Sequence, residues 1–451
     1  MVKSKKYRKT KKQERFYIVS LGCPKNTVDS NGIALLLQRS GYSAVEDPEQ
    51  ADVLIVNTCG FIALARGESL ETLQDLASHL RPDQQLIAAG CWAQREPEAL
   101  MGYVPRLDAV IGTRTWHQLP ALVEALANNH ERLIYTEDRP VVMPEKVGAP
   151  GYAMFGASAF LKIADGCSRR CAFCAIPDIK GPTVSRSVEA IVKDARDLQD
   201  QGVLEINLIA QDSTYYGHDL GMEDGLALLL ERLVQEIPEV PWLRILYTFP
   251  GYVSPRLIDV MAQYPQVLPY VDIPLQHAHP DMLRRMRRPS DVDWVRRIVH
   301  DLRERMPEVC IRTTFIVGFP GESEGEFQTL IDFVNEMRFD RVGVFEYSHE
   351  LGTPAAALPD DVPLDLKTDR KEALMLTQQA ISLDKNRALI GKRLPVLLEG
   401  SGDDLTIGRS YRDAPEIDGL VLIPGEHAIN RMVTVEIVDA MEYDVVGKIV
   451  A

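Results

Sequence analysis

From residue 16 onward, short apolar runs alternate with stretches in which apolar positions recur every three or four residues. Phe16 to Leu21, Val53 to Val56, Leu86 to Ala89 and Ala109 to Ile111 are strand-length runs, while Thr27 to Arg39 and Leu70 to Leu80 have helical length. This alternation predicts a parallel sheet with crossover helices, an open α/β domain over 16–130. Residues 131–158 lose the period at Pro140, Pro144, Gly148, Pro150, Gly151 and Gly156 and read as a linker. Alternation then resumes over 159–390. Its candidate strands are Phe160 to Ile163, Leu204 to Ile209, Leu243 to Thr248, Tyr270 to Ile273, Ile311 to Val317 and Val342 to Phe345. Six strand–helix units are too few for a full eight-stranded barrel. Over 391–451 the runs Leu394 to Leu398, Gly419 to Ile423 and Met432 to Val438 are broken by Gly and Pro, which predicts a small all-β barrel.

The cysteines fall on this frame in a telling way. Cys167, Cys171 and Cys174 stand in a C-x3-C-x2-C loop directly after the first strand of the second region. Three thiolates on one short loop suit three irons of a 4Fe-4S cube and leave the fourth iron open. Structural zinc closes with four ligands, and the nearest downstream histidine, His218, lies beyond a whole predicted helix and strand. Cys23, Cys59 and Cys91 each follow a different strand of the first region, just past its carboxyl end, where open parallel sheets gather functional loops. One such cysteine is by default a small buried apolar residue. Three at equivalent positions point to a second iron-sulfur site. Cys310, at a strand start, is expected in the core.

At 451 residues the chain has room for roughly three domains. With 45% apolar and 25% charged residues it has the composition of a soluble globular protein. It has no apolar run of about 18 residues for a membrane span and no apolar N-terminal signal segment. Seven cysteines, an odd number, suit metal or catalysis in a reducing cytoplasm better than a disulfide framework. A net charge of −15 disfavours broad nucleic-acid binding. The exception is residues 1–15, with eight Lys or Arg against Glu14 alone, read as a disordered basic arm that either touches RNA or is merely solvated.

The cysteine loop resembles that of the radical S-adenosylmethionine (SAM) superfamily. The resemblance implies a partial (βα)6 barrel and an open iron that chelates the amino and carboxylate groups of SAM, whose reductive cleavage releases a 5'-deoxyadenosyl radical. It also implies SAM contacts, for which the candidates are Phe173, Gln211, Gln276, Arg312 and the glycines of Gly318-Phe319-Pro320-Gly321-Glu322. Phe173 stands where the superfamily packs an aromatic near the adenine. Gln211 and Asp212 replace the usual Gly-Gly-Glu turn, and Arg312 is a candidate bidentate partner for the SAM carboxylate.

A three-cysteine α/β domain, this barrel and a C-terminal module similar to the TRAM domain together resemble the methylthiotransferases, along nearly the whole chain. The family carries two 4Fe-4S clusters, and the second would use Cys23, Cys59 and Cys91. One branch, MiaB-like, modifies adenosine in tRNA; the RimO branch modifies the β-carbon of an aspartate in ribosomal protein S-twelve. The runs 167–177, Ile273-Pro274-Leu275-Gln276-His277 and 411–419 look like the RimO branch. Residues 391–451 carry six basic and eleven acidic residues, so Asp413, Glu416 and Asp418 are expected to repel tRNA and attract a basic ribosomal protein. An electron donor and a sulfur donor are implied partners. A non-catalytic iron-sulfur ribosome-binding factor and a single-cluster radical enzyme are the other readings of the same residues.

Overall fold

The computed structural model describes residues 14–128 and 131–450, so most of the basic arm lies outside the described residues. Two compact units divide the chain between Ala149 and Pro150.

The first unit is the expected open sheet. Its strands are β1 (Arg15–Ser20), β2 (Ser43–Ala44), β3 (Val53–Thr58), β4 (Gln85–Ala89), β5 (Ala109–Gly112) and β6 (Leu133–Tyr135), all parallel, in the order β2-β1-β3-β4-β5-β6. Strand residues alternate between two cores, which is why these runs are apolar throughout. Val53 and Ile55 meet α1 (Pro24–Arg39) and α5 (Leu119–Asn128) on one face. Leu54 and Val56 meet α2 (Ala63–Ser78), α3 (Gly90–Arg95) and α4 (Pro97–Tyr103) on the other. The chain leaves β1 for β2 on one side and returns for β3 on the other, so the strand order reverses between β1 and β3. That is where an open sheet leaves a crevice at its carboxyl ends.

The second unit begins with β7 (Tyr152–Phe155), which pairs antiparallel with β8 (Ser158–Lys162). The stretch expected as a linker therefore supplies an edge strand to each unit, β6 and β7. Its prolines and glycines sit between the strands and hid runs of only three and four residues. After β8 come β9 (Ala164–Asp165), α6 (Ile176–Lys180), β10 (Val184–Ser185) and α7 (Val188–Asp200). The alternation continues through β11 (Glu205–Ile209), α8 (Gly225–Glu236), β12 (Trp242–Ile245), α9 (Pro255–Gln263), β13 (Tyr270–Asp272), α10 (Pro280–Arg285) and α11 (Val292–Arg305). It ends with β14 (Cys310–Val317), α12 (Glu324–Met337), β15 (Arg341–Glu346) and α13 (Leu364–Arg387).

The six parallel strands run β8-β11-β12 and β13-β14-β15, with the two arcs bridged by Thr248 N donating to Asp272 O. Ala159, Leu161, Ile206, Leu208, Leu243, Ile245, Ile311 and Phe315 alternate outward into one large core under the helices. Their neighbours face the inside of the partial barrel. The chain closes with β16 (Arg393–Gly402), β17 (Leu405–Ser410), β18 (Val421–Pro424), β19 (Arg431–Ala440) and β20 (Val445–Ile449), a closed five-stranded barrel. No helix among the described residues is long and apolar enough to cross a membrane.

The small barrel stands under the amino-terminal end of the large one and sends charge into it. Arg409 of β17 reaches Glu205 of β11 with two nitrogens, at 2.5 and 3.2 Å, and also donates to Ser158 Oγ at 3.2 Å. Arg244 of β12 donates to the same carboxylate at 2.9 Å and to the Tyr411 carbonyl at 2.8 Å. Burial alone would raise the Glu205 carboxyl, but the Arg409 and Arg244 guanidiniums outweigh it and hold it at about 2.

The loop after β17 completes the joint. Arg341 pairs with Asp413 at 2.6 Å, Arg412 with Asp340 at 3.0 Å, and Tyr270 Oη donates to Asp418 at 2.6 Å. Asp413 and Asp418 are therefore not a surface for a basic partner: their side chains are 4% and 2% exposed and already neutralised within the chain. Counting charge along a sequence does not separate a solvated carboxylate from one that answers a buried arginine. Glu416, in a left-handed turn at φ 69°, is the one of the three that faces solvent.

Candidate functional site

In the first unit the three cysteines emerge at neighbouring carboxyl ends of β1, β3 and β4. Cys23 is the N-cap of α1, fixed by Pro24 in the first helical position. Cys59 follows β3, and Ser69 of α2 holds its backbone by accepting from its N–H at 3.1 Å and donating to its carbonyl at 3.2 Å. Cys91 opens α3. One side chain gathers these three ends. Asn26 Nδ2 donates to Leu21 O at 3.0 Å and Thr58 O at 3.1 Å, and its Oδ1 accepts from Cys91 Sγ at 3.7 Å. Gly22 leaves room for Cys59: a Cβ there would lie 2.8 Å from the Cys59 sulfur. Burial, and then the nearby Cys23, push the Cys59 thiol up.

In the second unit Cys167, Cys171 and Cys174 share the loop after β9. The loop's two ends are clasped beneath by one carboxylate, since Asp165 Oδ2 accepts from Lys162 at 2.9 Å and Lys180 at 2.8 Å. Cys167 N donates to Gly181 O at 3.0 Å, Cys174 N to Cys171 O at 3.2 Å and Ala172 N to Met286 O at 2.9 Å. Burial raises the Cys167 thiol to about 11 and the Cys174 thiol to about 12, and mutual repulsion among the sulfurs adds to it. The three sulfurs are thus close enough to feel one another's charge. Among the described residues no three such side chains surround a position for a single ion. A cube asks for something else, one sulfur at each of three corners, and three converging thiols on a clasped loop fit that demand.

Of the residues expected to contact SAM, Phe173 lies on this loop and the Gly318–Glu322 turn reaches it through Phe319. Phe173 packs on an apolar patch of Ala172, Met282, Met286, Phe319 and Tyr347. Gly318 and Gly321 both have left-handed φ, 70° and 74°. Their turn is closed by Glu322, whose carboxylate accepts from Gly318 N at 2.6 Å, Arg370 at 2.7 Å and His277 Nε2 at 3.0 Å. The backbone N–H of His279 donates to His277 Nδ1, so the ring proton sits on Nε2 and points at Glu322. Gln276, at φ 77°, continues β13 alongside β14, exchanging backbone bonds with Thr314 and Ile316. Gln211 is half-buried at the end of β11.

Arg312 is elsewhere engaged. Its guanidinium lies between Asp272 at 3.1 Å and Asp418 at 3.4 Å, so the SAM carboxylate would meet a cation already neutralised twice. Sequence reasoning also missed three groups at this mouth. Arg169 pairs with Asp212 at 2.9 Å and stacks on Phe249, Tyr252 and Tyr215. Arg288 lies over the same Phe249 ring at 4.1 Å. The third is the His277–Glu322 pair. Arg169 stands between two of the loop cysteines, and His277 and Glu322 each end a run already singled out, but the pairing of His277 with Glu322 and the approach of Arg288 to Phe249 join distant segments.

Three family models match in chain order. The Uncharacterized protein family UPF0004 matches residues 15–112, the Radical SAM superfamily 161–334 and the TRAM domain 390–450. Among solved structures, a radical S-adenosylmethionine methyltransferase, TsrM, from Kitasatospora setae superposes with a TM-score of 0.55 at 14% identity, covering 90% of this chain and 81% of that one. At that identity it speaks for the fold alone. Curated relatives are much nearer. The protein named ribosomal protein uS12 methylthiotransferase RimO from Chloroflexus aurantiacus is 48% identical over 96% of this chain and 99% of its own. Its namesake from Roseiflexus sp. (strain RS-1) is 46% identical over 97% of both. With kinship of that degree along its whole length, and a radical SAM core between its two flanking modules, the chain belongs to the RimO family of ribosomal protein uS12 methylthiotransferases.

Proposed function

We propose that this protein is a radical SAM transferase that adds a methylthio group to the β-carbon of an aspartate in ribosomal protein uS12. The observation that carries this reading is full-length identity of 44–48% with relatives that bear that name. Cys167, Cys171 and Cys174 would hold a 4Fe-4S cluster with SAM on its open iron, and Cys23, Cys59 and Cys91 a second cluster. Bound there, the first supplies the electron that cleaves SAM and the second the site for the sulfur to be transferred.

The chain's own residues supply the setting. Lys162, Asp165 and Lys180 fix both ends of the metal loop, and Asn26 fixes the three strand ends of the other site. Phe173 and the Gly318–Glu322 turn give an apolar wall and a tight glycine-bounded turn at the mouth, suited to the adenosine of SAM. All six thiols must lose their protons to ligate iron, so loading either site releases protons. A reductant and a sulfur donor are required from outside.

The test is direct. The reduced, iron-loaded protein with SAM is offered uS12 and, separately, unmodified tRNA. A mass increase of one methylthio group on the aspartate of uS12 is expected; the same increase on tRNA and none on uS12 overturns the reading. Replacing Cys23, Cys59 and Cys91 together by Ala is expected to halve the iron bound per chain, and unchanged iron would remove the second cluster.

A further inference from the structure

Among the described residues Arg288 has no counter-charge. Its position is nonetheless tightly fixed. After α10 the chain turns through Arg287 at φ 55°, and Arg288 N donates to Leu283 O at 2.8 Å. The same turn presents Met286 O to the N–H of Ala172, the residue that follows Cys171, so the turn bearing Arg288 is hydrogen-bonded to the metal loop itself.

The guanidinium carbon lies over the Phe249 ring, 4.1 Å from its centre. Its Nη2 donates to Pro274 O and its Nη1 to Cys171 Sγ at 3.7 Å, while Nε is covered and without a partner. Arg169 offers the contrast. It shares the Phe249 ring, at 4.2 Å, but Asp212 neutralises it. Among the described residues no carboxylate lies within ion-pair distance of Arg288. A half-buried cation held in one rotamer normally answers an anion. The group it touches that is an anion when it ligates iron is the sulfur of Cys171.

We infer that Arg288 is a positioning residue for the barrel's iron-sulfur cluster: it donates an N–H to the Cys171 sulfur, and its unanswered charge makes the cluster easier to reduce. This rests on the reading that Cys167, Cys171 and Cys174 hold that cluster. The physical ground is general. Hydrogen bonds to cluster sulfurs and nearby fixed positive charge stabilise the more negative, reduced state. The step concerned is the gain of one electron from a low-potential one-electron reductant, with no bond made or broken. The planar fork matters because it lets one cation stack on a ring and still direct separate N–H bonds to a carbonyl and a sulfur.

The experiment uses the full-length chain with Cys23, Cys59 and Cys91 replaced by Ala, loaded with iron and sulfide, so that only the barrel cluster responds. The midpoint potential is read by electron paramagnetic resonance during a redox titration, for the parent, Arg288→Gln and Arg288→Lys. For Gln we expect the reduction equilibrium to shift about tenfold toward the oxidised cluster, about 59 mV for one electron. Lys, which keeps the charge and loses the fork, should fall between Gln and the parent. Iron per chain and SAM affinity of the oxidised protein should stay within twofold. An unchanged potential in Gln overturns the inference, as does an unchanged potential with SAM binding weakened tenfold, since Arg288 would then receive a carboxylate. If Gln fails to load iron, Lys decides, and a potential equal to the parent's overturns the inference. A parent that loads no iron, or that still loads it after loss of Cys167, Cys171 and Cys174, defeats the underlying reading separately.

Discussion

Asn26 ties together the strand ends beside Cys23, Cys59 and Cys91. It is 1% exposed, and its amide makes both of its donations to carbonyls of different strand ends. Asn26→Ala leaves Leu21 O and Thr58 O short of a donor, at a cost of about 1–3 kcal/mol. We expect lower iron per chain in that variant than in Ala replacements elsewhere on α1, measured by iron assay after loading. Asn26 was not legible in advance, because its role follows from three carbonyl and sulfur partners 5, 32 and 65 residues away. The cysteines were legible because each stands beside its own strand end in the chain. Arg288 shows the opposite limit. Nothing near residue 288 names Phe249 or Cys171, and only the fold brings them together.

At the scale of elements, the turn after β14 combines a left-handed backbone with close packing. A Cβ on Gly318 would lie 2.3 Å from Lys367 Cγ, at φ 70°. Gly318→Ala is therefore expected to cost about 1–3 kcal/mol and to loosen the Glu322 tie to α13. Chemical denaturation and SAM affinity should both report it. The longer strands and most of the longer helices of the two parallel regions were readable because they carry a full period of apolar residues. The edge strands β6 and β7 were not. Three or four residues flanked by proline and glycine carry too little period to stand out, and it is pairing with β5 and β8 that makes them strands.

Across the whole second unit, the two barrels are joined by buried charge. Glu205, Arg244 and Arg409 are 0%, 0% and 2% exposed. Arg409→Met leaves the Glu205 carboxylate with Arg244 as its cation and the Ser158 hydroxyl as a neutral donor, and removing one charged partner of such a buried set costs about 3–5 kcal/mol. Equilibrium unfolding in urea checks it. The same carboxylate ties stability to pH. Held at about 2 in the folded chain against an ordinary 4.5, it contributes in full above about 4.5 and progressively less as pH falls toward 2. A melting temperature that declines over that window, and declines less in a Glu205→Gln, Arg409→Met double variant, is the expected outcome. The small barrel's net negative charge was legible by counting; that its loop carboxylates are spent inside the chain was not, since the arginines that answer them lie on β14 and β15.

That joint also sets an order of events during synthesis. Glu205 and Arg409 are 204 residues apart, so the carboxylate is made well before its chief partner exists. At about 5–20 residues per second the wait is on the order of 10–40 s. Until the last strands leave the ribosome, the floor of the large barrel holds an acid that is better left in water, and the barrel has reason to stay open at its base. A nascent chain stalled before β17 should accordingly be far more open to protease around β8 and β11 than one released at full length.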